Sequence, residues 1–151
     1  MQLYDQKLVT VNDLVLRNFK LIMTNGVFDC GLTAAHVCYL EKARLLGDKL
    51  LVALNSDASV RRLKGPTRPI VPLLERMQII AALQCVDYII SFDEDTPINL
   101  IKEIKPEKLV KGGDYKPENV AGYGIVDVVI LEKFETMSTT EKLEKIKASN
   151  L

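Results

Sequence analysis

The sequence has little cysteine and histidine, with three cysteines and one histidine among 151 residues. Cys30, Cys38 and Cys85 form no CxxC pair, and with His36 they make no metal-ligand cluster, which favours a reducing compartment. Excess charge is also absent, since 20 basic residues balance 20 acidic ones. No apolar run approaches the roughly 20 residues that span a bilayer, and the first residues lack the apolar centre of a signal peptide. We therefore expect a cytoplasmic protein without nucleic-acid or membrane partners, in which local groups bind any anionic ligand.

The chain is 48% hydrophobic, which suffices for one globular domain over residues 1–151 without metals or disulfides. From residue 19 onward, short β-type runs alternate with helical patterns, which is typical of an α/β protein with a parallel sheet. Strands are predicted at 20–25, 49–55, 86–92, 108–113 and 125–132. Helices are predicted at 34–46, 73–85 and 138–147, with a short one capped by Thr96 and starting at Pro97. The Pro- and Gly-rich segment 61–72 predicts a loop.

The segment TNGVFDCGLTAAH at 24–36 joins the first strand to the first helix, where open parallel sheets bind ligands. Gly26 lets the backbone approach a phosphate, and the amides that open the helix at 33–36 attract an anion. Thr33 and His36 add side-chain donors that can stabilise charge on an attacked phosphate. The alternative is that His36 is an ordinary helix residue bonded to a neighbour and that Gly26 only makes a turn.

This segment resembles the GxFDxxHxGH motif of the cytidylyltransferase-like superfamily of nucleotidyltransferases. Gly26, Phe28, Asp29 and His36 match, and Thr33 occupies a His-or-Thr position. The resemblance extends over 21–146, and residues 39–97 are similar to the heptose 1-phosphate adenylyltransferase branch almost letter for letter. VKGGDY at 110–115 and STT at 138–140 resemble the family's nucleotide-recognition and phosphate-binding segments.

The resemblance implies a Rossmann-like three-layer sandwich with a five-stranded, mainly parallel sheet. It implies a homodimeric enzyme that transfers AMP from ATP, with Mg²⁺, to a heptose-like sugar 1-phosphate and releases pyrophosphate. By the same resemblance, the catalytic residues are His36, Thr33 and Arg44. The nucleotide-binding residues are Thr24, Asn25, Gly26, Phe28, Asp29, Arg76, Lys111, Gly112, Asp114, Ser138, Thr139 and Thr140. The substrate-binding residues are Asn55, Asp57, Arg61, Arg62, Lys64 and Arg68.

Several of these residues also have a purely structural interpretation. Asp29 and Asp57 could help to place Mg²⁺, which binds mostly through phosphates and water, and no protein metal site is otherwise indicated. Arg76 could instead pair on its helix surface with Glu75. Asp114 could simply end a strand, and the basic residues of 61–68 could be solvated. One of the three hydroxyl residues at 138–140 is explained by helix capping alone.

Two departures from the motif leave alternatives open. One residue more than the motif allows separates Asp29 from His36, so the loop must bulge or the register must shift. Ala35 replaces the motif glycine and adds a methyl group where the nucleotide should approach the backbone. A weakened nucleotide-binding homologue is therefore one alternative. A cytidylyltransferase that uses CTP and glycerol 3-phosphate or a related alcohol is another, although the sequence of 61–70 argues against it.

Overall fold

A computed structural model describes residues 3–132, 145 and 148 of the chain. Within this part the helices and strands alternate as the sequence predicts. No helix of these residues is long and apolar enough to cross a membrane. In chain order the elements are α1 Leu3–Lys7, α2 Val11–Val15, β1 Leu21–Gly26, α3 Ala34–Arg44, β2 Lys49–Asn55, α4 Asp57–Lys64, α5 Leu73–Ala81, β3 Tyr88–Phe92, α6 Ile98–Ile104, β4 Lys108–Gly112, a 3₁₀ turn at Pro117–Asn119, and β5 Asp127–Leu131.

The five strands form one sheet in the order β3-β2-β1-β4-β5, and every pair is parallel. The predicted five-stranded sheet is confirmed, and it is wholly rather than mainly parallel in the described residues. The chain builds β1, β2 and β3 toward one edge and then returns to add β4 and β5 on the other side of β1. The order therefore reverses between β1 and β4, which is where sheets of this class bind ligands.

Both faces of the sheet are covered, which explains why the central strands read as continuous apolar runs. Leu51 and Ala53 of β2 pack on one face with Ile101 of α6, and Leu50 and Val52 pack on the other. Residues 50 to 54 all have 0% exposure, so β2 is buried on both sides. The resulting arrangement of helices, sheet and helices confirms the predicted three-layer sandwich.

The prediction of a loop over 61–72 is wrong in its first part, because α4 continues to Lys64. Ser56 accepts a hydrogen bond from the Ser59 amide at the helix start, and Val60 is buried, so local capping and burial favour a helix. The loop begins only at Gly65, whose φ of 97° ends the helix. Three of the predicted loop cations, Arg61, Arg62 and Lys64, therefore lie on a helix.

Other boundaries differ by smaller amounts. Helix α5 ends at Ala81 rather than 85, and α6 begins at Ile98, with Pro97 in the capping position and no side-chain cap from Thr96. The amino-terminal helices α1 and α2 were not predicted, since they are only five residues long. The predicted helix at 138–147 lies almost entirely outside the described residues.

Candidate active site

A cavity of about 860 Å³ opens at the carboxyl ends of β1 and β4, at the point where the strand order reverses. Asn25 and Gly26 at the end of β1 and Lys111 and Gly112 at the end of β4 line its floor. The start of α3, the segment after α4 and the segment before α6 supply the walls. The volume lies within the range of small-molecule sites.

The loop from β1 to α3 forms one wall through an unusual backbone course. Phe28, Cys30 and Gly31 adopt left-handed conformations, with φ values of 51°, 65° and 85°. L-residues rarely adopt such values, and two of the three here are not glycine. Of the two predicted solutions to the extra residue, the structure shows the bulge, because Thr33 and His36 still occupy the helix start as the motif requires.

Asp29 holds this bulged loop in place. Its carboxylate accepts hydrogen bonds from the amides of Cys30, Ile70 and Val71 at 2.9 to 3.0 Å and from the Arg68 guanidinium. Burial by itself would raise the pKa of Asp29, but these hydrogen bonds together hold it below the ordinary value. The carboxylate is therefore ionised and already engaged, and the prediction that Asp29 helps to place Mg²⁺ does not fit its contacts.

Thr33 and His36 form a reciprocal cap at the start of α3. The Thr33 hydroxyl accepts from the His36 amide at 3.4 Å, and the His36 Nδ1 accepts from the Thr33 amide at 3.1 Å. Because Nδ1 is an acceptor, the neutral imidazole carries its proton on Nε2. His36 lines the cavity, whereas Thr33 is buried behind it. The cap thus fixes both the orientation and the tautomer of the imidazole.

Phe28 and Gly26 complete this wall. The Phe28 and His36 rings lie 5.8 Å apart between centroids. A β-carbon on Gly26 would stand 3.0 Å from the Phe28 ring, so the glycine makes room for that ring. Both residues line the cavity, and their predicted contact with a nucleotide stays a prediction.

Tyr39 of α3 joins the two strands that form the floor, a role that no sequence pattern predicts. Its hydroxyl donates to the Val110 carbonyl at 2.7 Å and shares a short hydrogen bond with Thr24, which is fully buried. Burial raises the pKa of Tyr39 above its ordinary value, so the phenol stays neutral. A β-carbon on Gly112 would stand 2.9 Å from the tyrosine ring, which explains the glycine at the end of β4.

The chain's comparison with known proteins agrees with this arrangement. The family model described as cytidylyltransferase-like matches residues 23–150. The chain belongs to the cytidylyltransferase-like family. This confirms the resemblance to the nucleotidyltransferase superfamily, and all the residues that line the cavity lie within the matched range.

Similar proteins include the Bifunctional protein HldE of Cronobacter sakazakii, 54% identical over 139 residues that make up 89% of this chain and 29% of that protein. The protein of the same name from Edwardsiella ictaluri is 62% identical over 106 residues, or 70% of this chain and 22% of that protein. The chain therefore spans less than a third of the length of these relatives.

Solved structures show the same fold. A lipopolysaccharide core biosynthesis protein from Thermoplasma volcanium has a TM-score of 0.65 and 30% identity, and the match covers 78% of this chain and all of that one. Pantothenate synthetase from Thermus thermophilus has a TM-score of 0.59 at 15% identity over 91% of this chain and 70% of that one, which shows similarity of fold alone.

Within this cytidylyltransferase-like domain, Arg76 lies in the protein interior. It is 1% exposed, and its guanidinium donates to the carbonyls of Val71, Val27 and Asn55 at 2.7 to 2.9 Å and to the Asp57 carboxylate at 2.7 Å. Arg76 and these four partners are called the Arg76 brace below. It ties α5 to the ends of β1 and β2, and Arg76 does not line the cavity.

Two further predicted cations also bond within the protein. Arg44 lies at the end of α3, where it pairs with Asp87 at 2.7 Å and donates to the Gly47 carbonyl at 2.8 Å. Arg62 pairs with Asp95 at 2.8 Å on the surface. Neither Arg44 nor Arg62 lines the cavity, although Asp95, the partner of Arg62, does.

The structure places some of the predicted substrate-binding residues at the cavity and others away from it. Asn55 is buried and donates to the Ser59 hydroxyl at 3.0 Å, while Asp57 belongs to the Arg76 brace and also accepts from the Leu73 amide. Arg61 is exposed on α4 and does not line the cavity. Of that set, the cavity is lined by Lys64 and Arg68.

Lys42 is a cavity cation that was not among the predicted site residues. It is exposed, and it follows Ala35 and Tyr39 on the same face of α3, so helical spacing could have placed it at the cavity. Lys42 and Lys64 make no hydrogen bond or ion pair to the described residues. Asp114 also lines the cavity, and its predicted contact with the nucleotide stays a prediction. The cavity is lined as well by residues that were not predicted as site residues, among them Asp95, Thr96, Tyr115, Asn119 and Glu132.

No metal centre is formed by the described residues, since no three histidine, cysteine or acidic side chains come close enough to hold an ion. Asp57, the second residue considered for Mg²⁺, bonds to Arg76 and to the Leu73 amide. Ser138, Thr139 and Thr140 lie outside the described residues, so their predicted contact with phosphate remains a prediction.

Proposed function

We propose that this domain transfers AMP from ATP to a sugar 1-phosphate of the heptose 1-phosphate type and releases pyrophosphate. The observation that carries the proposal is the position of the capped His36 in one cavity with Lys42 and Lys64, which form no ion pair with the described residues, at the strand-order reversal. The similarity to bifunctional HldE proteins and to a lipopolysaccharide core biosynthesis protein supports the choice of acceptor.

In this reaction a phosphate oxygen of the acceptor attacks the α-phosphorus of ATP in line. The new P–O bond forms as the bond from the α-phosphorus to the bridging oxygen breaks, and pyrophosphate leaves with that oxygen. The transfer needs no covalent enzyme intermediate, so the protein acts by positioning and by electrostatic stabilisation.

The chain's own residues supply that stabilisation at two places. The His36 Nε2–H and the free amides that open α3 donate to the α-phosphate oxygens, on which charge develops. Lys42 and Lys64 attract the remaining phosphates, and the Asp114 carboxylate accepts hydrogen bonds from the nucleoside, a role supported by its position in the cavity lining. Mg²⁺ would be held by the phosphates and water, since Asp29 and Asp57 are engaged elsewhere. Four predictions from the sequence remain predictions: Arg44 as a catalytic residue and Arg76 as a nucleotide-binding residue, the contact of the 138–140 hydroxyls with phosphate, the homodimer, and the cytoplasmic location.

A pyrophosphate-release assay tests the proposal, with ATP or CTP offered against heptose 1-phosphate or glycerol 3-phosphate. ATP with heptose 1-phosphate should give the highest kcat/KM. Preference for CTP with glycerol 3-phosphate would replace the proposal with the cytidylyltransferase alternative. Nucleotide binding without pyrophosphate release in every combination would instead favour the weakened homologue, for which Ala35 in the cavity wall gives a physical reason.

Two substitutions of His36 separate its two ring nitrogens. His36→Asn keeps an acceptor near the Nδ1 position, so the cap with Thr33 can persist, but it removes the Nε2 donor. His36→Gln can restore a donor near Nε2. We expect His36→Asn to lower kcat by roughly 10²–10³-fold, as for the loss of one oxyanion donor, and His36→Gln to retain more activity at an unchanged melting temperature. Equal activity of all three proteins would exclude His36 from the chemistry.

A further inference from the structure

Strands β1 and β4 stop pairing with each other before they reach the cavity. They pair at two positions, the second of which joins Met23 to Leu109. By contrast, β1 pairs with β2 as far as Gly26, and β4 pairs with β5 as far as Gly112. In the described structure, residues 24–26 and 110–112 therefore face each other without strand pairing. This stretch is called the β1–β4 gap below.

Tyr39 of α3 bridges the β1–β4 gap at its base. Its hydroxyl donates to the Val110 carbonyl at 2.7 Å, which uses the single proton of the phenol. The Thr24 hydroxyl must then be the donor in the short hydrogen bond that it shares with Tyr39. Farther along the gap, the Lys111 ammonium donates to the Asn25 carbonyl at 2.7 Å. One side chain of α3 thus bonds to the first unpaired residue of both strands.

The ring of Tyr39 packs against the end of β4 as closely as its hydroxyl bonds to the strands. A β-carbon on Gly112 would stand 2.9 Å from the ring, so the ring lies directly on the main chain of that glycine. The ring is rigid, and its hydroxyl is bonded on both sides of the gap. The position of Tyr39 between β1 and β4 is therefore closely defined.

His36 lies three positions before Tyr39 on α3, so both side chains are on the same face of the helix, and both line the cavity. The cap with Thr33 orients the imidazole relative to α3, but that cap is confined to the helix start. The place of the imidazole over the floor also depends on where α3 lies relative to β1 and β4. Tyr39 supplies hydrogen bonds from α3 to these two strands.

We propose that Tyr39 is a positioning residue that holds the start of α3 over the β1–β4 gap, so that His36 Nε2 meets the reacting phosphate. The chemical part of this statement rests on the proposed function, whereas the placement of α3 does not. A misplacement of about 1 Å can slow a reaction roughly 100-fold even when it arises away from the reacting groups. The effect of Tyr39 therefore falls on kcat rather than on KM.

Tyr39→Phe removes the hydroxyl and keeps the ring. With ATP and heptose 1-phosphate, we expect kcat to fall roughly 10–100-fold while KM stays within about twofold. The melting temperature should also fall, because the fully buried Thr24 hydroxyl loses this partner. Tyr123→Phe is the matched control, since Tyr123 is exposed and does not line the cavity. It should change neither the rate nor the stability.

A double variant separates positioning from stability. Tyr39→Phe combined with Thr24→Val replaces both hydroxyl groups by apolar groups of similar shape, which should restore most of the melting temperature. It does not restore the bond to Val110, so kcat should stay low. If kcat returned to the parent value together with the melting temperature, Tyr39 would have a structural role only, and the proposal would be overturned.

NMR of the imidazole gives a readout that needs no turnover, because His36 is the only histidine of the chain. Phe28 follows β1, and its ring centroid lies 5.8 Å from that of His36, so the ring current of Phe28 makes the His36 proton shifts sensitive to the place of α3 relative to β1. These shifts should change in Tyr39→Phe and in the double variant but not in Tyr123→Phe. The ring ¹⁵N shifts, which report the tautomer, should stay as in the parent because the Thr33 cap remains.

The two readouts distinguish failure of this proposal from failure of the proposed function. Unchanged His36 proton shifts in Tyr39→Phe, or an unchanged kcat in an active parent, would overturn the positioning role. A parent protein that releases no pyrophosphate would contradict the proposed function instead. The proton shifts would then still decide whether Tyr39 places His36 over the β1–β4 gap.

Discussion

The Arg76 brace and the cavity lining both contain cations, yet the two regions use positive charge in opposite ways. Arg76 is 1% exposed and bonds to four groups of the protein, whereas Lys111 has one main-chain partner and Lys42 has no hydrogen bond or ion pair in the described residues. A cation whose charge is already neutralised and whose donors already make hydrogen bonds within the protein binds a phosphate only weakly. The comparison teaches that the partners of a basic residue, more than its place in a motif, decide whether it can hold a ligand.

The largest expected effect comes from breaking the brace. Arg76→Met leaves the Asp57 carboxylate and three carbonyl groups without their donor, and we expect the free energy of unfolding to fall by about 3–5 kcal/mol. Urea denaturation measures this change. Arg61→Met on the exposed face of α4 is the control, with an expected change within about 0.5 kcal/mol. If Arg76→Met instead kept the parent's stability but lost affinity for ATP, that result would support the predicted contact between Arg76 and the nucleotide.

The same contrast explains how much of this molecule its sequence could predict. The limits of β2 were predicted correctly, since an apolar run between polar residues is a local signal. The prediction of a loop over 61–72 was wrong for the last residues of α4. The glycine and prolines after Lys64 indicate a loop, but the cap and the partial burial of α4 stabilise the helix up to Lys64. The brace was not predictable, because Arg76 meets Asp57 nineteen positions away and also the main chain of Val27. Local patterns predict which residues approach the cavity but not which charges are already paired.

Two cations of α3 allow a sharper test of the comparison. Lys42 and Arg44 are two residues apart, which places them about 200° apart around the helix, so one lines the cavity and the other meets Asp87. We expect Lys42→Met to raise the KM for ATP or for the sugar phosphate roughly tenfold, a loss of about 1.4 kcal/mol in binding. Arg44→Met should leave KM within about twofold.

Stability measurements on the same pair complete this test. Arg44→Met should cost at most about 1 kcal/mol in unfolding free energy, because the pair with Asp87 is partly exposed. Lys42→Met should not alter stability measurably, since its ammonium makes no hydrogen bond or ion pair to the described residues. The reverse ranking, with KM raised only in Arg44→Met, would support the catalytic role that the family resemblance implies for Arg44.

The smallest expected effect concerns the methyl group of Ala35, which lines the cavity where the motif has glycine. Ala35→Gly should raise kcat/KM for ATP about two- to fivefold while costing about 0.5–1 kcal/mol of stability through the flexibility of glycine. Ala34→Gly is the matched control, because Ala34 is exposed one residue earlier on α3 and does not line the cavity. It should show the stability cost without the gain in rate. If Ala35→Gly behaves like this control, the bulged loop already accommodates the nucleotide beside the alanine, and the methyl group is no reason to regard the domain as a weakened homologue.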